Sequence, residues 1–121
     1  MGGLMGDLAS VSAPELGSTA IKAAVERANL DAAAIDEVFM GCVLPAGLKQ
    51  CPARQAARYA GVPDHVGAVT VNKACGSGMQ ATIFGIDSIR ARTNRIAVAG
   101  GLENFLKLIF CRESPLFSGL S

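Results

Sequence analysis

The stretch Val71-Asn72-Lys73-Ala74-Cys75-Gly76-Ser77-Gly78-Met79-Gln80-Ala81 decides how the rest of the chain is read. Residues 68–74 are short and apolar, which predicts a strand, and 76 to about 91 are mostly apolar over a helical length. Cys75 therefore falls at a strand-to-helix turn, just ahead of a helix N-terminus. Unpaired backbone N–H groups and the positive end of the helix dipole favour an anion at such a place, and a cysteine thiolate is one. The small residues Gly76, Ser77 and Gly78 let a substrate approach the sulfur and leave backbone N–H groups accessible to an oxyanion. The same Gly-x-Gly also fits a purely packing role, with Cys75 an ordinary buried thiol. Spacing leaves both readings open.

The segments around this turn alternate between strand and helix. Ser12 and Glu15 have capping-box spacing with Pro14 inside the first turn, which predicts a helix start. Its apolar stripe is Leu16, Ala20, Ala24 and Ala28 with Ile21 and Val25 beside it, and Glu15, Ser18, Lys22, Glu26 and Asn29 make the wet face. Residues 37–42 (EVFMGC) read as a buried strand, and Pro45, Gly47 and Pro52 mark a loop. A helix is expected over 53–60, closed by Gly61, with Arg54 and Arg58 on one side of it. These two arginines suit a solvated face, with contact to an anionic ligand as the alternative. His65 falls in the turn 63–67, where a lone histidine is ordinarily just exposed. The helix after Cys75 has almost no polar face until Asp87, Arg90 and Arg92, which predicts burial on all sides. A last buried strand is expected over 95–101 (RIAVAGG). This βα alternation predicts an α/β fold, with a mostly parallel sheet and covering helices joined by right-handed crossovers.

Composition narrows the class. The 121 residues make one domain with a moderate core, half of them hydrophobic, 5% aromatic and 14 of them glycine. A formal charge of +1 gives no footprint for nucleic acid or an anionic membrane surface. Cys42, Cys51, Cys75 and Cys111 form no Cys-x-x-Cys pair, and with one histidine a metal site is not expected. No secretory signal opens the chain and no apolar run reaches the roughly 18 residues of a membrane span. A disulfide framework is therefore not expected, and the expected compartment is the cytoplasm.

Several motifs in register carry a resemblance. Asn72-Lys73-Ala74-Cys75-Gly76-Ser77-Gly78-Met79 resembles the nucleophile segment of the thiolases, enzymes that make or cleave 3-ketoacyl-CoA through a cysteine thioester. Ser12-Ala13-Pro14-Glu15-Leu16-Gly17, then Gly41-Cys42-Val43-Leu44-Pro45-Ala46-Gly47 running on to Pro52-Ala53-Arg54-Gln55-Ala56-Ala57, then Val98-Ala99-Gly100-Gly101-Leu102-Glu103 are similar to the family in the same order. The match runs from about Gly2 to Glu103, so a partial thiolase N-terminal domain is expected over 1–103, and 104–121 reads as a divergent tail. Within that tail the run from Phe105 to Phe110 is apolar and β-prone, an aggregation hazard if exposed.

The resemblance implies an acyltransferase of fatty acid metabolism, catalysing acetyl-CoA condensation or 3-ketoacyl-CoA thiolysis. Cys75 is then the nucleophile, with its own backbone N–H as one oxyanion donor, and coenzyme A thioesters enter as substrates with no bound cofactor. It also implies that the helix after Cys75 lies in the interior and that the intact family is homo-oligomeric. The family's Gly-His-Pro, Cys-x-Gly-Gly-Gly and Asn-Glu segments do not occur in these residues, nor does the first strand with its Arg-Thr-Pro turn. His65, Cys42, Cys51 and Cys111 lack the surrounding motifs to replace them. General acid–base steps are worth about 10²–10⁴-fold each, so these residues alone are expected to turn over negligibly. Without the first strand, open sheet edges are expected to leave the isolated chain marginal in stability and prone to associate. The alternatives are a ketoacyl-synthase-like condensing enzyme, which shares the fold and a cysteine nucleophile, and a non-catalytic remnant that associates with a full-length thiolase.

Overall fold

The computed structural model describes residues 6–105. In chain order these form helix α1 (Ala13–Arg27), a 3₁₀ turn (Ala32–Ala34), strand β1 (Glu37–Gly41), helix α2 (Pro52–Tyr59), strand β2 (Gly67–Val71), helix α3 (Ser77–Arg90) and strand β3 (Ala97–Gly101). The run expected to be aggregation-prone lies, beyond Phe105, outside the described residues.

The start of α1 follows from two side chains. Ser12 is the N-cap, its hydroxyl accepting from Glu15 N–H at 3.4 Å, while the Glu15 carboxylate accepts from Ser12 N–H at 2.7 Å. A cap of this kind stabilises a helix by about 1 kcal/mol. The face that α1 buries is not the expected stripe. Ala13, Pro14, Gly17, Ser18 and Ile21 are buried, whereas Ala20, Ala24 and Ala28 are exposed. The helix is turned so that Gly17 faces inward, where an added Cβ would lie 2.8 Å from Leu102 Cδ2 and 3.3 Å from Ala56 Cβ. Close approach there outweighs the modest gain from burying three alanines. Ser18 is accommodated because its hydroxyl donates to Glu15 C=O at 2.7 Å.

The sheet is parallel, in the order β2-β1-β3. Glu37 to Gly41 pair in register with Gly67 to Val71 on one side and Ala97 to Gly101 on the other. The β1–α2–β2 and β2–α3–β3 crossovers step in opposite directions along the sheet. Crossovers of one hand must then lie on opposite faces. They do: α1 and α2 cover one face and α3 the other.

Alternation along β1 divides the core. Val38, Met40 and Cys42 face α1 and α2, joining Ile21, Ala53, Ala56, Ala57, Val62 and Val66. Phe39 faces α3, with Val71, Ala81 and the half-buried Ala97. The two strands beside β1 are shorter than their apolar runs. Strand β2 stops at Val71 because Asn72 begins a turn, and β3 starts at Ala97 because Arg95 and Ile96 N–H donate to the Asp36 carboxylate.

The expectation that α3 is buried on all sides is corrected within residues 6–105. Ser77, Ala81 and Gly85 face the sheet, but Met79 is 73% exposed, and Ile83, Phe84, Ile86 and Ile89 are each more than 40% exposed. Hydrophobic periodicity records that a helix is apolar all round. It does not say which of its neighbours lie within a given stretch of chain. Among the described residues the sheet covers one side of α3 and nothing covers the other. The expected fold class otherwise stands as a mostly parallel sheet with covering helices.

Candidate active site at the carboxyl ends of the strands

The connections leaving β1 and β2 depart for opposite faces of the sheet, the first to α2 and the second to α3. Where neighbouring connections diverge in this way, a crevice opens outside the carboxyl ends of the strands. Cys75 stands at that crevice, on the turn between β2 and α3, and its side chain is exposed.

The turn is held by a compact set of bonds. Asn72 Oδ1 accepts from Ala74 N–H at 3.1 Å, an Asx turn. Ser77 Oγ accepts from Lys73 N–H at 2.8 Å and donates to Ala74 C=O at 2.6 Å. Gly76 N–H donates to Lys73 C=O at 3.0 Å and Ser77 N–H to Ala74 C=O at 3.1 Å. Ala74, immediately before the thiol, has φ of +45°. A residue with a Cβ enters this left-handed region at a cost of about 1–2 kcal/mol, so the bonds on both sides of Ala74 sustain a strained backbone.

The three small residues after Cys75 divide between the two roles the sequence left open. Ser77 is 3% exposed and is part of the turn's bonding, and Gly78 packs on the strands: an added Cβ would lie 3.6 Å from Gly101 Cα. Gly41 is tighter, for its Cβ would fall inside contact distance of Gly78 N and 2.7 Å from Ser77 O. The N–H groups of Gly76 and Ser77 are taken up within the turn, which corrects the expectation that they stay open to an oxyanion. Gly78 and Ser77 serve packing, with Gly41 and Gly101 opposite, and the result is that the start of α3 sits hard against the ends of β1 and β3.

Glu103, just past β3, reaches across β1. Its carboxylate accepts from Val43 N–H at 2.8 Å and Leu44 N–H at 3.1 Å, and the Cys42 thiol points at it, 3.7 Å away. Burial, and after it the Glu103 charge, push the Cys42 thiol up to about 11. Cys42 is 1% exposed, a neutral core residue rather than a second nucleophile. Cys51 is exposed at the N-cap of α2, with Sγ 3.5 Å from Thr70 Oγ1, and Cys111 lies outside the described residues. His65 is exposed in the turn before β2. Arg58 pairs with Asp64 at 2.8 Å and Arg54 Nη1 reaches Asp64 C=O at 3.5 Å, so both arginines lean on the α2–β2 connection.

An open groove of about 540 Å³ runs beside the site, lined by Val69, Thr70, Val71, Asn72, Lys73, Gln80 and Phe84. Lys73 Nζ donates to Gln80 Oε1 at 2.7 Å along it. Among the described residues no cluster of His, Cys, Asp or Glu is placed to hold a metal ion, and no helix is long and apolar enough to cross a membrane.

Sequence reasoning placed Cys75 on the turn between a strand and a helix, where the structure has it, but missed the residues that fix that turn. Asn72 carried a readable signal, since an Asn two residues before a turn is a common Asx-turn former. Glu103 carried none, because its partners are backbone N–H groups about 60 residues earlier in the chain.

Comparisons with known proteins agree on one family. The family model described as thiolase, N-terminal domain, matches residues 1–119. Acetyl-CoA acetyltransferase 2 of Arabidopsis thaliana is 52% identical over 104 residues, covering 86% of this chain and 26% of that protein. The acetyl-CoA acetyltransferase of Escherichia coli is 50% identical over 119 residues, covering 98% of this chain and 30% of that protein. Among solved structures, the Acat5 thiolase from Ascaris suum in complex with coenzyme A superimposes with a TM-score of 0.85 at 39% identity, over 87% of this chain and 28% of that one. The chain thus spans less than a third of the length of these relatives.

Proposed function

The chain belongs to the thiolase family, matching its N-terminal domain, and on that premise we propose that Cys75 is the nucleophile of acyl transfer from coenzyme A thioesters. The observation that carries this is the exposed thiol on a strained turn, braced by Asn72 and Ser77, at the carboxyl ends of parallel strands. The Cys75 thiolate attacks the thioester carbonyl, a new C–S bond forms, and coenzyme A leaves with the electron pair of the old one. The Cys75 backbone N–H is one donor to the oxyanion of the tetrahedral intermediate. In the whole protein the acetyl-enzyme then serves acetyl-CoA condensation, or the reverse thiolysis of a 3-ketoacyl-CoA. The coenzyme A of the Ascaris thiolase complex supports that substrate class. A thiol nucleophile suits a reducing compartment such as the cytoplasm.

The acid–base segments that the family resemblance implies do not occur in these 121 residues, so the chain is expected to acetylate without sustained turnover. Incubation with acetyl-CoA, followed by peptide mass spectrometry, is the test. One acetyl group on Cys75, released by hydroxylamine and absent in Cys75→Ala, is expected, with no continuing release of coenzyme A. Acetylation of Cys51 at the same rate would sink the assignment. Preferential acylation by an acyl-carrier protein would move the chain to the ketoacyl-synthase alternative.

A second reading, association with another layer or copy, is favoured by the exposed apolar face of α3 and the outer edge of β2 beside the groove. Analytical ultracentrifugation is expected to show concentration-dependent self-association, weakened by Ile83→Glu. A monomer that melts cooperatively at all concentrations contradicts it.

A further inference from the structure

Asn72 joins two loops that leave the sheet in opposite directions. Its Oδ1 accepts from Ala74 N–H at 3.1 Å, and its Nδ2 donates to Val43 C=O at 3.0 Å. The Val43 peptide is itself held from the other side, because its N–H and that of Leu44 donate to the two oxygens of Glu103. Glu103 in turn follows directly on the β3–β1 ladder, where Leu102 N–H donates to Gly41 C=O at 2.9 Å. A continuous series of bonds therefore runs from the end of β3, through Glu103, Val43 and Asn72, to the strained residue before Cys75.

We infer that Asn72 and Glu103 are positioning residues for the Cys75 nucleophile, setting the direction of its thiol by holding Ala74 in the left-handed conformation. This rests on the reading of Cys75 as nucleophile. An Asx turn needs only the Oδ1 bond. The second bond, from Nδ2 to Val43, fixes the amide against rotation and ties the turn to the sheet. Without Asn72 only the Ser77 side of the turn still holds Ala74, and the residue can relax toward a negative φ, the ordinary preference of any residue with a Cβ. That change swings the Cα–Cβ bond of the next residue, so the thiol stays exposed but no longer meets a thioester in the same direction.

Three cysteines of the chain make the test internally controlled. Cys42 is buried and reports unfolding, Cys51 is an exposed thiol at another helix start and reports reactivity outside the site, and Cys75 is the one whose direction matters. Two probes are applied to the full chain and read by peptide mass spectrometry. Iodoacetamide needs only an accessible thiolate, whereas acetyl-CoA needs a directed one. Asn72→Ala is expected to slow acetylation of Cys75 about tenfold, the size of change that releasing one left-handed residue brings. Iodoacetamide labelling of Cys75 and Cys51 should stay within about twofold of wild type, and Cys42 should stay protected. Asn72→Asp keeps the Oδ1 bond and loses the Nδ2 donor, and Glu103→Gln loses one of two acceptors; both should fall between wild type and Asn72→Ala.

Unchanged acetylation in Asn72→Ala and Glu103→Gln, with wild-type Cys75 acetylated, overturns the positioning role alone. So does a loss matched by labelling of Cys42, which would make these residues props of the fold. Failure of wild-type Cys75 to acetylate while it labels with iodoacetamide overturns the nucleophile assignment instead.

Discussion

The two ends of the parallel sheet are tied in the same way and put to different use. At the amino ends, Asp36 precedes β1 and accepts from Arg95 N–H at 2.7 Å and Ile96 N–H at 2.9 Å, the residues before β3. At the carboxyl ends, Glu103 follows β3 and accepts from Val43 and Leu44 N–H, the residues after β1. Each carboxylate thus satisfies two backbone donors that the ladder leaves unpaired where the strands part. Asp36 does so in open solvent, its pKa lowered first by the Ile96 bond and then by the Arg95 bond. Glu103 does so beside a buried thiol, close-packed glycines and a left-handed alanine. The amino end has its left-handed residue, Arg92 at φ of +61°, on an exposed turn three positions before Arg95. The carboxyl end concentrates strain and tight contact around one exposed cysteine, as a site that must hold a group in a fixed direction does.

Packing at the carboxyl end is the sharpest way to break this contrast. Gly41→Ala forces a Cβ into the backbone of Ser77 and Gly78, atoms that cannot swing aside. We expect a stability loss of about 3 kcal/mol, the upper range for overpacking, seen as a lower urea midpoint. Gly61→Ala is the control, with φ of +86° and open space around it. It should cost only the left-handed penalty of about 1 kcal/mol. Equal losses would mean that the close approach of α3 to β1 is not what makes Gly41 necessary.

The two carboxylates come next. Glu103→Ala removes both acceptors from a half-buried loop and should destabilise by about 2 kcal/mol. Asp36→Ala should cost less, because water reaches Arg95 and Ile96 N–H once the side chain is gone. Paired urea titrations decide it, and the larger loss at Asp36 would reverse the comparison.

Local chemistry was legible in the sequence, and long-range chemistry was not. The capping box at Ser12 and Glu15, the strand at Glu37–Gly41 and the turn bearing Cys75 each depend on residues a few positions apart, and each was readable. The end of β2 was missed because Asn72 sits within an otherwise apolar run, and one of its two bonding partners, Val43, is brought to it only by the fold. The buried face of α1 was missed because a stripe of alanines is a weak signal beside a glycine that admits Leu102. On α3, periodicity was silent about which apolar side meets this sheet and which faces away from it. Cys75 could be named as the candidate, and the long-range bonds that brace its turn could not.

The last contrast is in pH, and there the two ends should fail in opposite directions. Asp36 has a lowered pKa in the folded chain, so its contribution is present above the ordinary carboxylate range and is lost as pH falls through the folded value. Cys42 is raised from 9.0 to about 11, so between those values the unfolded chain releases a proton that the folded chain keeps. Stability must then fall as pH rises through that window, by no more than about 1.4 kcal/mol per pH unit for one proton. The measurement is the difference between wild type and Cys42→Ser in urea midpoint from pH 8 to pH 11, which cancels whatever the two chains share. The wild type should lose ground to the variant only above about pH 9. Asp36→Asn should lose the acid-side part of the wild-type profile and leave the alkaline part unchanged. If Cys42→Ser instead tracks the wild type throughout, the thiol beside Glu103 is wetter than its burial implies, and the carboxyl end is no drier than the amino end.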